Sequence, residues 1–542
     1  MKALIIFLFS QWIYAVAFGQ TAETQYSIKS KKAIKLYEST DHLIQRRQYP
    51  EAAAILSQAL SREEDFLEAH LRIAFCYKVL NNVPEQRRHL ERVIELAPDP
   101  AKYKNVIFSL GEACFLTGQY EKAKSHIEKF LEYEKADPRM ITEARKIYGN
   151  SVFASVAIMN PVDFNPIPLP EVINAGPLQY FPVLTADEET LIFTTRAGSA
   201  PGFDEDIYVS EKNDAGLWTI PQPISRFINT ANNEGTCSIS ADGKIMIFTS
   251  CQGRQSIGSC DLYITYHYGQ DWTEPENLGR NINSPSWDSQ PTLSADGRKL
   301  FFVSDRPGGI GKRDIWVSYL GENSEWLPAV NMGIQINTID DEISPFIHVN
   351  GQTLYFASKG YPGFGGYDLF HSDYSGGRWS EPKNLGYPVN TADDQVSLFV
   401  TANGENAYYS QDNYTPEGYP ISLIYTFQIP EEIRVSRKSL YVKGRIYDKE
   451  TLKPLSASIE LMDLNLDSLS EKVYSDSLFG EYIMVLTEGS EYALYVNRPG
   501  YLFDSRYFNL YESESMKPII MDFALSKIQT GSNTVLNNIF FE

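Results

Sequence analysis

Acidic and basic residues recur at set offsets between residues 163 and 428, and they are the first place to look for chemistry. Acids and amides gather at Asn233-Glu234, Asp288, Asp340-Asp341-Glu342 and Asp393-Asp394, and cations recur at Arg196, Arg254, Arg306 and Lys359. Two readings stand together. The charges form ion pairs between neighbouring repeats, or Arg196, Arg254, Arg306, Lys359, Asp340, Asp341, Asp393 and Asp394 make a rim that docks a protein partner. A glycosidase would need carboxylates converging on a central channel; here the acids recur at turn positions, where a structural role suffices. A serine peptidase of this kind would need an added α/β-hydrolase domain with a Gly-x-Ser-x-Gly nucleophile turn, and the sequence has none. His42, His70, His89, His126, His267, His348 and His371 show no His-Glu-x-x-His or other zinc spacing. No catalytic residue, cofactor or metal site is expected.

Cys251 and Cys260 fall at positions that hold Arg196 and Glu205 one repeat earlier and Asp305 and Arg313 one repeat later. Opposite charges replace the pair twice, which reads as two cross-strand neighbours; in an oxidising compartment a disulfide is the expectation. Cys76 and Cys114 read as small core residues of helices, and Cys237 as a buried residue of an inner strand.

These residues are positioned by a cassette of about 54 residues repeated between 163 and 428. Turn residues fall at Asp187, Asp242, Asp296, Asn350 and Asn403, and an Ile/Val-Asn marker falls at Asn174, Asn229, Asn283, Asn337 and Asn390; both series have intervals of 55, 54, 54 and 53. The asparagine series begins before the first turn and ends before the last. Its phase therefore wraps round, as in a ring closed by its own N-terminal strand, and predicts a five-bladed β-propeller over 163–430. In the third copy the inner strand is expected at 289–294, the second at 299–304 and the third at 314–318, with Asp296-Gly297 supplying the hairpin turn. Glycines in Pro307-Gly308-Gly309-Ile310-Gly311 and Gly363-Phe364-Gly365-Gly366 allow a tight return between second and third strands. Trp218, Trp272, Trp326 and Trp379 are expected to open outer strands, and 164–174 to be the outer strand of the fifth blade.

A chain of 542 residues is long enough for three or four domains. Net charge of -21 and a pI near 4.9 argue against nucleic acid or anionic lipid as the main partner. Residues 1–19 read as a cleaved signal peptide, with Lys2 as the charged start, 3–9 as the apolar stretch and Ala17-Phe18-Gly19 as the cleavage site. No later stretch approaches the ~20 apolar residues of a membrane span, so the mature chain is expected to lack one.

Residues 27–160 carry helical periodicity, clearest in Leu110-Gly111-Glu112-Ala113-Cys114, Gly118-Gln119-Tyr120-Glu121-Lys122-Ala123, Phe130 and Pro138. Gly111 and Ala123 let two antiparallel helices approach, with Leu110, Ile127 and Phe130 in the seam. The pattern resembles a tetratricopeptide repeat (TPR). Earlier copies hold Ala74, Tyr77, Leu90 and Val93, and Tyr49, Ala52, Leu56 and Ala59; a closing helix is expected at 138–155. The β copies, with Ser-Ala-Asp-Gly, Phe301-Phe302-Val303-Ser304-Asp305-Arg306 and Asp-Ile-Trp/Tyr-Val-Ser, resemble the PD40 family of WD40-like propellers found in TolB and in periplasmic OmpA-type proteins. Residues 438–525 alternate as a small β-sandwich does, with strands expected at 441–446, 457–461, 482–486 and 492–496. There Pro454-Leu455, Gly480-Glu481-Tyr482 and Pro499-Gly500-Tyr501 resemble the carboxypeptidase-regulatory-like fold. Residues 533–542 resemble the first strand of an OmpA-type peptidoglycan-binding domain.

The expected fold class is thus multidomain: an α-helical TPR solenoid, a five-bladed β-propeller and a small β-sandwich. In this order the modules resemble the PorE-type periplasmic component of type IX secretion and gliding machinery. That resemblance implies a non-enzymatic scaffold, periplasmic and associated with the outer membrane, whose partners are envelope or secretion-machinery proteins. Peptidoglycan enters only if an OmpA-type domain follows, because its diaminopimelate-contacting Asp and Arg would lie beyond Glu542; a truncated or split chain would lack the anchor. A TolB-like envelope adaptor is the alternative, and a propeller glycosidase or peptidase a third.

Overall fold

The computed structural model describes residues 26–133, 137–197, 204–269, 271–414, 420–511 and 517–529. The expected signal peptide and the 533–542 segment lie outside the described residues. The chain divides into two compact units, Met1–Val152 and Phe153–Glu542.

The first unit is helical: α1 (Lys31–Ser39), α2 (Asp41–Gln45), α3 (Tyr49–Leu60), α4 (Leu67–Val79), α5 (Val83–Leu96), α6 (Lys104–Leu116), α7 (Tyr120–Leu131) and the start of α8 (Pro138–Ala157). Prolines Pro50 and Pro84 sit in first turns, where no backbone donor is lost, and Asn82 caps α5 through the Glu85 amide at 3.2 Å. Ala33, Tyr37, Ala52, Leu56, Phe66, Ala69 and Ile73 form the first core. Further on, α6 and α7 meet at Gly111: a Cβ there would lie 2.6 Å from Ile127 Cδ1, so only glycine permits this approach. No helix among the described residues is long and apolar enough to cross a membrane.

The second unit is a large β-rich region of several sheets. Five repeats share one antiparallel order of inner, second, third and outer strand. The third repeat shows it: Asp288–Leu293, Lys299–Ser304, Asp314–Tyr319 and Val330–Asn331. The fifth repeat has Val396–Val400, Asn406–Tyr414 and Pro420–Gln428, and takes its outer strand from before the first, with Ile167 opposite Thr426 and Pro168 opposite Tyr425.

Outer strands are much shorter than the sequence suggests. The fifth is only Ile167–Pro168, within the expected 164–174. The tryptophans do not open them: Trp272 and Trp379 pair back on the third strands at His267 and Tyr374, and Trp218 and Trp326 bridge to Lys212 and Leu320. A bulky ring packs best folded onto its own hairpin, and the chain then crosses to a separate two-residue strand.

A two-sheet sandwich follows. Ser439–Asp448 pairs with Glu481–Thr487 and, in parallel, with Phe523–Leu525. The second sheet runs Ser468–Tyr474, Ser458–Asp463, Glu491–Asn497, Asp504–Asn509. Val442, Ile446, Ile459, Leu461, Met484, Leu494, Val496 and Phe523 fill the space between, one face of each alternating strand.

Candidate functional site

The marker asparagines act as pieces of strand. Each turns its side-chain amide to one third-strand residue, accepting that residue's N–H and donating to its C=O. Asn229 does so to Ile207 (3.0 and 2.9 Å), Asn283 to Leu262 (2.8 and 2.9 Å), Asn337 to Ile315 (2.8 and 2.9 Å) and Asn390 to Leu369 (2.8 and 2.9 Å). Asn174 does the same to Ile424, 250 residues away, at 2.9 and 3.0 Å. An amide is the side chain that both accepts and donates in one plane. It completes a ladder that a two-residue outer strand leaves short.

A second series was only partly visible in the sequence. Gln179, Glu234, Asp288, Glu342 and Gln395 stand at equivalent inner-strand starts, and all are buried. Glu234 accepts from Thr230 N–H (2.7 Å), the Thr230 hydroxyl (2.9 Å) and Ser250 (2.9 Å). Glu342 does likewise with Thr338 N–H and hydroxyl and Ser358, at 2.6, 2.7 and 2.7 Å. Asp288 holds Ser284 N–H and hydroxyl at 2.6 and 2.8 Å and Arg306 at 2.6 Å. Burial pushes the Glu234 and Glu342 carboxyls upward, opposed by those donors. These acids grip their own connections.

A third set lies where the third strands begin. Asp261 accepts the amides of Ile257 and Gly258 at 2.5 and 2.9 Å and Asn277 Nδ2 at 2.8 Å; Asp314 takes Ile310, Gly311 and Asn331 in the same way. The glycine-rich returns thus wrap a carboxylate. Asp368 takes the Phe364 amide at 2.8 Å, but Asn384 Nδ2 goes to Pro362 O instead. Burial, with Asp394 adding, lifts its carboxyl to about 7 against the Phe364 and Gly365 amides.

The inner strands enclose a cavity of about 70 Å³ lined by all five repeats. Each inner strand carries a bulge whose residue has positive φ: Phe181 (53°), Thr236 (32°), Gln290 (54°), Ser344 (51°) and Ser397 (58°). Proline follows at 182, 291 and 345, tolerated because a bulge frees the strand of a ladder donor. Neighbouring inner strands are stitched by Leu293 N–H to Ser238 Oγ (2.9 Å), Ser344 N–H to Gln290 Oε1 (2.8 Å) and Ile347 N–H to Thr292 Oγ1 (3.1 Å). Buried His348 accepts the Asn350 amide on Nδ1 and donates from Nε2 to Thr401 O at 3.0 Å; burial lowers it to about 4.

The sequence-predicted rim is only partly assembled as ion pairs. Lys359 meets Asp394 at 3.4 Å across repeats and lies 3.9 Å from the Tyr367 ring. Arg306 pairs with buried Asp288 and packs on Phe302 and Trp316. Arg254 caps the Phe227 and Ile228 carbonyls at 2.7 Å each. Asp340 pairs with Lys312 at 2.8 Å, Asp341 lends its carbonyl to Lys359 N–H, and Arg196 stands opposite Glu205 in register. Asp393 is exposed, and its amide donates to Thr391. Cys251 and Cys260 face each other in register and are joined, with Sγ atoms 2.00 Å apart; Cys76, Cys114 and Cys237 are free and buried. Among the described residues no group of three or more His, Cys, Asp or Glu is placed to hold a metal ion.

The helical unit holds one polar pair that spacing did not reveal. His70 and His89 are 7% and 4% exposed, with Nδ1 atoms 2.8 Å apart. His70 Nε2 lies 2.8 Å from Glu64 O and must donate there, leaving its Nδ1 to accept from His89 Nδ1–H, while Arg88 donates to His89 Nε2 at 3.3 Å. Both rings are therefore neutral. Burial first, then His70 and Arg88, lower His89 to about 3.

Residues 43–107 match the tetratricopeptide repeat family. Among solved structures, the first TPR domain of the human RPAP3 protein is 21% identical, covering 24% of this chain and 95% of that one, with a TM-score of 0.20. The catalytic domain of a Coprinopsis cinerea GH62 α-L-arabinofuranosidase is 7% identical over 49% of this chain and 97% of its own, with a TM-score of 0.34. A Trypanosoma rangeli sialidase in complex with the inhibitor DANA is 9% identical over 46% and 55%, at 0.30. No curated protein matches the chain.

Proposed function

We propose that the protein is a non-enzymatic periplasmic scaffold that links envelope machinery, a type IX secretion or gliding component associated with the outer membrane. TPR repeats suggest a protein–protein interaction scaffold, and the match at 43–107 is the observation that carries the reading. In this proposal 27–160 is the partner-binding solenoid, 163–430 a five-bladed PD40-type propeller closed by Ile167–Pro168, and 438–525 a carboxypeptidase-regulatory-like sandwich. Ring closure is supported by the pairing of Ile167 with Thr426 and by the Asn174 staple on Ile424. A TolB-like adaptor is the alternative assignment. Hydrolysis has less support, because Glu234, Asp288 and Glu342 turn to their own connections.

The test is cross-linking in cells followed by purification of the full chain. Outer-membrane secretion subunits should be recovered, and deletion of 27–160 should remove them. Recovery of Tol or transporter proteins instead would favour the adaptor, and glycan or peptide turnover by the purified chain would overturn the scaffold reading.

A further inference from the structure

Four loops of the sandwich, 449–457, 475–480, 498–503 and 526–529, meet at one of its poles. The register brings them there: Ser458 lies opposite both Tyr474 and Asn497, Arg445 opposite Glu481, and Leu525 beside Asp448. Bonds tie the loops to one another and to the strand ends. Ile446 N–H donates to Gly480 O at 2.8 Å, Leu502 N–H to Ser526 O at 2.8 Å, Ile528 N–H to Gly500 O at 2.9 Å, and the Tyr501 hydroxyl to Asp448 at 2.7 Å. The pole is thus a fixed platform, and each of its loops turns a large apolar side chain outward. Leu452 is 71% exposed, Phe479 58%, Leu478 47%, Phe503 40% and Ile528 61%.

Leu452 is the odd member. Its φ is 57°, a conformation that glycine or asparagine adopts more readily than leucine, and its side chain lies outside the core, so the fold alone gives no reason for leucine there. The charges of the pole are also unlike those of the chain. Its loops carry the cations Lys449, Lys453, Arg498 and Lys527 against the acids Glu450 and Asp476, in a protein of net charge -21. Asp476 is engaged by the amides of Leu478, Phe479 and Glu481 at 2.8, 2.6 and 2.6 Å. Asp448, buried beneath, holds the Tyr501 hydroxyl, Lys527 at 3.4 Å and the amides of Glu450 and Thr451. Lys449 and Lys453 are exposed on either side of Leu452, and Arg498 lies over the Tyr501 ring.

We propose that this pole is a lipid-docking tip: Leu452, Phe479, Phe503 and Ile528 enter the acyl boundary of a bilayer while Lys449, Lys453 and Arg498 meet the headgroup phosphates of an anionic leaflet. Exposed apolar side chains rimmed by charge mark a protein or a membrane contact, and the lysines decide between them. Protein interfaces are depleted in lysine. At a membrane a lysine stem lies along the apolar layer and its ammonium reaches the phosphates, each such cation adding attraction to an anionic surface. The local excess of cations supplies the charge complementarity that the acidic remainder of the chain lacks. Few side chains enter, so the contact is shallow and reversible.

The test is flotation of the chain without residues 1–19, whose apolar run would itself bind lipid, on vesicles of phosphatidylethanolamine with phosphatidylglycerol and on vesicles of phosphatidylcholine alone. The wild type should float with the anionic vesicles, several-fold less with phosphatidylcholine, and less as salt is added. Leu452→Asn with Phe479→Ser and Ile528→Ser changes exposed sites only, so it should melt like wild type while its partition coefficient falls at least ~tenfold. Lys449→Glu with Lys453→Glu should lower partition at least ~tenfold on the anionic vesicles alone. A wild type that does not float, equal flotation on both lipids, or a triple variant that floats like wild type would each overturn the tip. These vesicles hold no protein, so such a failure would leave the recovery of partners through 27–160 untouched.

Discussion

The helical unit and the β-rich unit both stack repeats, but different physics holds each stack. A helix satisfies its own backbone, so stacking two of them asks only for small residues and filled seams, as at Gly111 against Ile127. A four-stranded sheet with a two-residue outer strand leaves backbone groups of its third strand exposed to the interior. There a side chain must finish the ladder, and Asn174, Asn229, Asn283, Asn337 and Asn390 do so. Directional bonding demands one residue type at one position. Apolar packing accepts several types over several positions, which is why the β cassette keeps a regular period while the helical copies are degenerate.

The sharpest way to break the contrast is Asn337→Ala. The side chain is 2% exposed and serves Ile315 N–H, Ile315 C=O and Asn331 Oδ1. Its loss strands buried polar groups and should cost ~4 kcal/mol in the β-rich unit, read by denaturant unfolding that follows tryptophan, since all seven tryptophans but Trp12 lie in that unit. Unchanged stability would mean that the amide is decorative. The helical counterpart is Gly111→Leu: overpacking against Ile127 should cost ~3 kcal/mol, visible in helical circular dichroism and absent from the tryptophan signal.

Those two positions also show what the sequence could tell. Both were legible, because each does something that its residue type alone can do. The cavity bulges were not: Phe181, Thr236, Gln290, Ser344 and Ser397 share a backbone conformation and no side-chain chemistry. Only Pro182, Pro291 and Pro345 hinted at a break in the ladder. Outer strands were overestimated since two residues carry no alternation to read. The recurring charges were visible in the sequence, but arginines that cap carbonyls, such as Arg254, look there like arginines that pair with acids. The His70–His89 contact, 19 residues apart, matches no ligand spacing because the ring nitrogens are taken up by each other, by Glu64 O and by Arg88.

Acid separates the units less strongly. His70 and His89 are buried neutral, and His89 is lowered to about 3, so the unfolded chain takes up protons first. Their contribution is fully present above pH 6.5, the ordinary histidine value, and is lost as pH falls toward 3. The helical unit should lose stability by at most ~1.4 kcal/mol for each pH unit of that span, measured by thermal scans followed at a helical wavelength. His70→Leu with His89→Phe should flatten the profile; an equally steep loss in that double variant would assign it to other groups. His348, lowered to about 4, gives the β-rich unit an acid limit of its own.

The smallest expected effect compares two repeats within one unit. The second repeat joins its second and third strands through Cys251 and Cys260, nine residues apart, where the first places Arg196 opposite Glu205. A short covalent loop limits the unfolded chain, and Cys251→Ser with Cys260→Ser should lower stability by ~2 kcal/mol. Installing arginine and glutamate there instead should recover only about 0.5 kcal/mol, because a half-exposed ion pair is screened and must order two long side chains. Thermal unfolding with and without reductant checks both. Equal melting of oxidised and reduced wild type would show that hairpin pairing already fixes this loop, and that the covalent link adds no constraint which the charged pair of the first repeat lacks.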